Sequence, residues 1–138
     1  MSTLSYLSIP YSSPNPEVRD RRVAAAEVAM TDLIRTGRLV VCPVIMNHAA
    51  IKRADGRLSE TPGDYWRELE IRLAAACDEL VVLMEQGWQD SRGVAREIAL
   101  FEAAGKLVTF MPRSGSIPAR PLRSPANSIV ASAPTMSR

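Results

Sequence analysis

Two carboxylates stand where apolar side chains are expected. On a helix over residues 91–104, one face carries Gly93, Val94, Glu97, Leu100, Phe101 and Ala104, and Glu97 is its only charge. On a helix over 64–76, the face that continues to Cys77 carries Trp66, Glu70, Leu73 and Ala74, and Glu70 is again its only charge. A carboxylate on an apolar face is costly unless it is paired or its pKa rises. Two of them in one site can do acid–base or nucleophilic work. The plain alternative is that each lies at the edge of its face and reaches solvent or an arginine. A third feature sits just before Glu97, in Asp90-Ser91-Arg92-Gly93-Val94. Ser91 can cap the helix, Gly93 lets a ligand approach the backbone, and free N–H groups at a helix start attract phosphate. The segment is neither a Walker loop nor a GxGxxG fingerprint, and most such turns are only caps.

Further polar and aromatic residues bear on a site. Asn47 and His48 can touch a base or phosphate, or form an exposed loop pair. Tyr65, Trp66 and Trp88 can stack on a base, although packing is the commoner use of such rings. Arg92 and Arg96 are expected on the face opposite Glu97, solvated or paired with acids of another subunit.

The elements that must position these residues follow from periodicity and punctuation. Residues 3–9 (TLSYLSI) alternate and stop at Pro10, which predicts a strand. Asn15 as N-cap and Pro16 as first helical residue predict a helix over 17–36, closed by Gly37. Residues 39–45 (LVVCPVI) predict a second strand, with Pro43 placing it at a sheet edge. Residues 46–63 read as a long irregular connector with Asp55-Gly56 as a turn. A helix over 64–76, a strand over 79–85, a short loop over 86–90, a helix over 91–104 and a strand over 107–111 complete the body. The order β-α-β-α-β-α-β predicts an α/β fold: a parallel sheet with right-handed crossovers and helices on both faces. Ligands then bind beyond the carboxyl ends of the strands, where residues 10–14, 46–63 and 86–93 meet.

Composition bounds the rest. The 138 residues suit one domain and carry a formal charge of +2. Residues 1–112 hold 13 Lys/Arg against 15 Asp/Glu, while 113–138 hold four Arg (Arg113, Arg120, Arg123, Arg138) and no acid. The positive surplus therefore belongs to the tail, which also has four Pro and little pattern and is expected to be mostly disordered. No apolar run approaches the ~18 residues of a membrane span, and no signal peptide is read in the N-terminal residues. Cys42 and Cys77 read as buried, reduced thiols of a cytoplasmic protein. One His and two scattered Cys speak against a zinc site, and 5% aromatic content speaks against a stacking platform for a nucleic-acid polymer.

Three stretches, YLSIPYS, DYWRELEIRL and CDELVVLMEQGWQDSRGVAREIALFEAAGK, resemble the nucleoside 2-deoxyribosyltransferase superfamily over about residues 4–111, and look closest to its DUF1937 branch. The pattern Ser91, Gly93, Val94, Glu97, Ile98 is also similar to the deoxynucleoside 5′-monophosphate N-glycosidases. The resemblance implies a doubly wound, flavodoxin-like sheet of four to five strands and cleavage of the bond between a base and a deoxyribose. It implies Glu97 as the nucleophile and Glu70, eight residues before Asp78, as the group that assists proton transfer. Relatives mostly have Asp where Glu70 stands. Ser91 matches a residue that contacts a 5′-phosphate, Pro10, Tyr11 and Ser12 match the first-strand loop, and Ile9 stands where relatives have a small residue. The resemblance also implies a homo-oligomer. The chemistry passes through an oxocarbenium-like state that a carboxylate stabilises, with no metal or cofactor required.

The first functional expectation is therefore N-glycosidic cleavage or deoxyribosyl transfer on a nucleotide or nucleoside, in a chain that binds neither nucleic-acid polymer nor membrane. A non-catalytic nucleotide-binding or sensing module on the same fold is the second. A protein-interaction module with a basic tail is the third.

Overall fold

Alternation puts Tyr6 and Ser8 on one face of the first strand, β1 (Leu4–Ser8), and Ser5 and Leu7 on the other. All four are buried, so both faces are covered. The computed structural model describes residues 2–54 and 63–113 and the backbone of residues 122 and 123. It continues with α1 (Pro16–Arg35), β2 (Leu39–Val41), α2 (Pro43–Ala54), α3 (Gly63–Ala76), β3 (Glu79–Met84), a single 3-10 turn (Trp88–Asp90), α4 (Arg92–Ala103), β4 (Leu107–Pro112) and β5 (Leu122–Arg123).

The sheet order is β2-β1-β3-β4-β5. The first four strands are parallel, in registers such as Ser5↔Val40, Ser5↔Glu79 and Glu79↔Leu107, and β5 is antiparallel to β4. Helices cover both faces, which makes this a doubly wound, flavodoxin-like α/β fold. On one face Ala26, Ala29 and Leu33 of α1 pack with Leu7, Ile9, Val81, Leu83 and Met111. On the other, Val94 and Phe101 of α4 and Ala74 of α3 pack with Tyr6, Leu80, Val82 and Val108. The winding reverses between β1 and β3, and a crevice opens beyond the carboxyl ends of those two strands.

Local chemistry sets the element ends. Asn15 Oδ1 accepts the Glu17 N–H at 2.9 Å, with Pro16 at the first helical position. Gly37 closes α1 at φ +90°. The Leu4 N–H donates to Asp78 Oδ2 at 2.8 Å, pinning the start of β1 beside that of β3. At that same end Arg38 Nε donates to Glu79 Oε2 at 2.8 Å, both side chains at most 3% exposed, and Ser5 Oγ donates to the same oxygen.

Three expectations change. Residues 39–45 are not one strand: β2 stops at Val41 and Pro43 opens α2. Proline fits there because the first N–H groups of a helix have no intrahelical partner to lose. Val44 and Ile45 then pack on the first core cluster from a helix, which a short apolar run satisfies as well as a strand does. The edge position of β2 stands, but its cause is not Pro43. Second, residues 46–54 of the supposed connector belong to α2, while Asp55-Gly56 lies outside the described residues. Third, the tail supplies Leu122 and Arg123 as a strand, so the sheet's fifth strand is antiparallel. The remainder of the tail beyond Arg113 lies outside the described residues.

Candidate functional site

Glu97 is carried on the second turn of α4, facing β1, and is 7% exposed. Tyr6 Oη donates to its Oε2 at 2.5 Å and Ser8 Oγ to its Oε1 at 2.5 Å. The alternation of β1 puts these two hydroxyls on one face two residues apart, under both carboxylate oxygens. Burial pushes the Glu97 carboxyl up to about 7. The Ser8 and Tyr6 hydrogen bonds pull it down, the Glu70 charge pushes it up, and Arg96 pulls it down. Tyr6 is itself pushed far above its ordinary value, first by burial and then by the Glu97 charge, so it stays a donor.

Glu97 borders a cavity of about 740 Å³, a size suited to a small molecule. Its walls come from the elements that meet at the switch point. Ile9, Pro10, Tyr11 and Ser12 follow β1; Gly87, Asp90 and Ser91 follow β3; Arg92, Gly93 and Arg96 come from α4. Pro43, Val44, Asn47 and Ile51 of α2 and Trp66, Leu69 and Glu70 of α3 close the sides, and Arg22 reaches in from α1. Arg22 is held by Ser12 O at 3.0 Å and Gln86 O at 3.3 Å. A Cβ on Gly87 would come within 2.6 Å of Arg22 Nη2, and its φ of +93° already favours glycine.

Nine of the eleven residues expected at the site border this cavity: Glu97, Glu70, Ser91, Gly93, Pro10, Tyr11, Ser12, Asn47 and Trp66. Two do not. Val94 is 1% exposed and packs in the core, contributing its N–H to Ser91 Oγ at 3.2 Å. His48 points from α2 behind the wall, where Nδ1 meets Tyr11 Oη at 2.8 Å and Nε2 meets Asp20 Oδ1 at 2.9 Å. Helical phase separates it from its neighbour Asn47, which faces the cavity. Ser91 caps α4 as expected. Trp88 packs against Phe110 at 5.3 Å between centroids, and Tyr65 is exposed against Trp66.

Arg96 departs from expectation. It donates to both oxygens of Glu70, through Nη2 at 3.0 Å and Nε at 3.4 Å, within the same chain. Adjacent helical residues are only about 100° apart, so Arg96 flanks Glu97 rather than opposing it. Sequence reasoning also missed Tyr6 and Ser8. Their signal was two hydroxyls sharing one face of a strand whose surroundings are apolar.

The fold and the site together define a flavodoxin-like α/β domain with a buried glutamate at the floor of a switch-point cavity. The chain belongs to the family described as a domain of unknown function (DUF1937), whose model matches residues 3–113. No curated protein matches it. Among the described residues, no helix is long and apolar enough to cross a membrane.

Proposed function

We propose that the chain cleaves the N-glycosidic bond of a nucleotide or nucleoside, with Glu97 as nucleophile and water or a second base as acceptor. The observation that carries this reading is one buried carboxylate, set on two hydroxyl donors, at the floor of a cavity of about 740 Å³. One Glu97 oxygen forms a bond to the anomeric carbon as the C–N bond breaks and its electron pair leaves on the base. The acceptor then displaces Glu97. Tyr6 and Ser8 steady the carboxylate, and Ser91 with the start of α4 receives a phosphate or sugar oxygen. Glu70 accepts from Arg96 through both oxygens, so it serves first as an acceptor and fixed charge at the wall. The superfamily resemblance supports the same reading and, with it, a homo-oligomer. A cytoplasmic place rests on Cys42 and Cys77, which are free and buried, with thiols pushed up to about 12 and about 11, first by burial.

The test is release of free base from a panel of deoxynucleoside 5′-monophosphates and deoxynucleosides. Wild-type protein releases base and Glu97→Gln does not. No release across the panel ends the catalytic reading.

A second reading, a nucleotide-binding module without turnover, draws on two observations. Both Glu97 oxygens are already engaged, and Ile9, 3% exposed, fills part of the wall. Ligand-induced thermal stabilisation without base release selects it.

A further inference from the structure

Departure of a base from a sugar needs a proton at the leaving nitrogen, and the Arg96 pair occupies both oxygens of Glu70. A different proton path reaches the cavity wall. We propose that Tyr11 protonates the leaving base and that His48 and Asp20, aligned behind it, supply and orient that proton; this rests on the cleavage reading above.

The geometry is a three-residue chain from solvent to cavity. Asp20, on α1, has a half-exposed side chain and lies 2.9 Å from His48 Nε2. The His48 side chain, on α2, is 11% exposed, and its Nδ1 lies 2.8 Å from the hydroxyl of Tyr11 on the cavity wall. The two rings meet edge to face, 5.5 Å between centroids. The other charges facing the chain are Lys52 of α2, 3.5 Å from Asp20, and Arg19 of α1, which interacts with Tyr11.

Directionality follows from the donors. Desolvation raises the Asp20 carboxyl, but the His48 hydrogen bond and Lys52 outweigh it and hold the group below its ordinary value. Asp20 is therefore an acceptor at neutral pH, and His48 Nε2 carries a hydrogen. Burial raises Tyr11, so its hydroxyl keeps its proton. With neutral imidazole, Tyr11 donates to Nδ1. With imidazolium, Nδ1–H donates to Tyr11 Oη and turns the hydroxyl hydrogen toward the cavity. Proton transfer is then balanced: the leaving nitrogen takes the C–N electron pair and the Tyr11 proton, and Tyr11 takes the Nδ1 proton. His48 becomes neutral and recovers its proton from water through the emptied cavity. Tyr11 is the catalytic residue of this step; His48 and Asp20 are positioning residues.

The experiment compares two leaving groups on the full chain. The substrates are deoxyadenosine 5′-monophosphate and 7-methyl-deoxyguanosine 5′-monophosphate, whose alkylated base departs without a proton. Tyr11→Phe slows base release from the first by about 100-fold, within the usual range for lost acid catalysis, and leaves release from the second within about threefold. Asp20→Asn moves the basic limb of the wild-type pH–rate profile together with the titration of the His48 NMR signals, which are unambiguous because the chain has one histidine. Equal losses on both substrates make Tyr11 structural and overturn the relay. Unchanged rates on both overturn it as well, while base release by the wild type that Glu97→Gln abolishes leaves the cleavage reading standing. No release by the wild type overturns both.

Discussion

Tyr6 Oη lies 2.5 Å from Glu97 Oε2, a hydroxyl from β1, an interior strand of the sheet, under a carboxylate from a flanking helix. The contact joins residues 91 positions apart and is sealed from solvent, Tyr6 being fully buried against Phe101, edge to face at 5.5 Å. A hydrogen bond to an ionised acceptor in such a place favours the charged form. It opposes burial, which on its own drives Glu97 toward its neutral acid. The balance leaves the carboxyl at about 7, where ionised nucleophile and protonated acid are both populated.

Tyr6→Phe removes one side of that balance. The ring and its contact with Phe101 remain, and only the donor is lost. Glu97 titrates higher, so the acid limb of kcat/KM for base release moves up by about one pH unit, the worth of one hydrogen bond to a charged group. With the Glu97 carboxyl at about 7, the wild-type limb is expected there. A pH–rate profile of the variant checks this, and an unmoved limb means that Glu97 is not the group titrating.

Glu97 also ties stability to pH. Its ordinary value of 4.5 applies to the unfolded chain and about 7 to the folded one, so the native state holds the proton more tightly. The associated stability is fully present below 4.5 and is lost as pH rises through 7, about 3 kcal/mol in all. Glu97→Gln keeps the shape without the titration. The stability difference between variant and wild type, from urea unfolding, grows in the variant's favour between pH 4.5 and 8. Parallel stability profiles contradict a raised carboxyl.

Much of this arrangement was legible because it is local. Asn15-Pro16 and Ser91 announce helix starts by the hydrogen bonds that they make within three residues, and both cap as expected. Glu97 broke an apolar stripe, and the break marks the floor of the cavity. What was not legible depended on partners distant in sequence. The run LVVCPVI satisfies strand and helix equally, and only packing against α1 decides that Val44 and Ile45 lie on α2. Arg96 finds Glu70 across the contact of α3 with α4, 26 residues away, and His48 finds Tyr11 and Asp20 from two other segments. Periodicity gives a side chain its face, not the group waiting opposite.

The end of the sheet away from the cavity makes a separate prediction. Arg38 and Glu79 form a pair with side chains only 3% and 2% exposed. Arg38→Met leaves the carboxylate buried with Ser5 as its remaining named donor, and the loss is about 3–5 kcal/mol in urea unfolding. Adding Glu79→Met recovers most of it, because two apolar side chains need no compensation. A loss below about 1 kcal/mol for the single variant gives the pair the small worth of a surface ion pair.

Gly93 separates a binding role from a folding role. It sits in the first turn of α4 without a positive φ, so alanine is conformationally acceptable there. A Cβ would meet Arg96 Nη2 at 3.7 Å and Ser91 Oγ at 3.8 Å, both ordinary contacts. Helix propensity favours alanine by about 1 kcal/mol, so Gly93→Ala keeps or raises the thermal midpoint. On the proposed reading, the added methyl obstructs the approach of a phosphate or sugar oxygen to the Ser91 turn, because Gly93 itself lines the cavity. Titration with a deoxynucleoside 5′-monophosphate then shows affinity reduced by about tenfold or more, the cost of one lost hydrogen bond to a charged group. Unchanged affinity in a stably folded variant moves the anion away from the start of α4 and leaves Ser91 with capping alone.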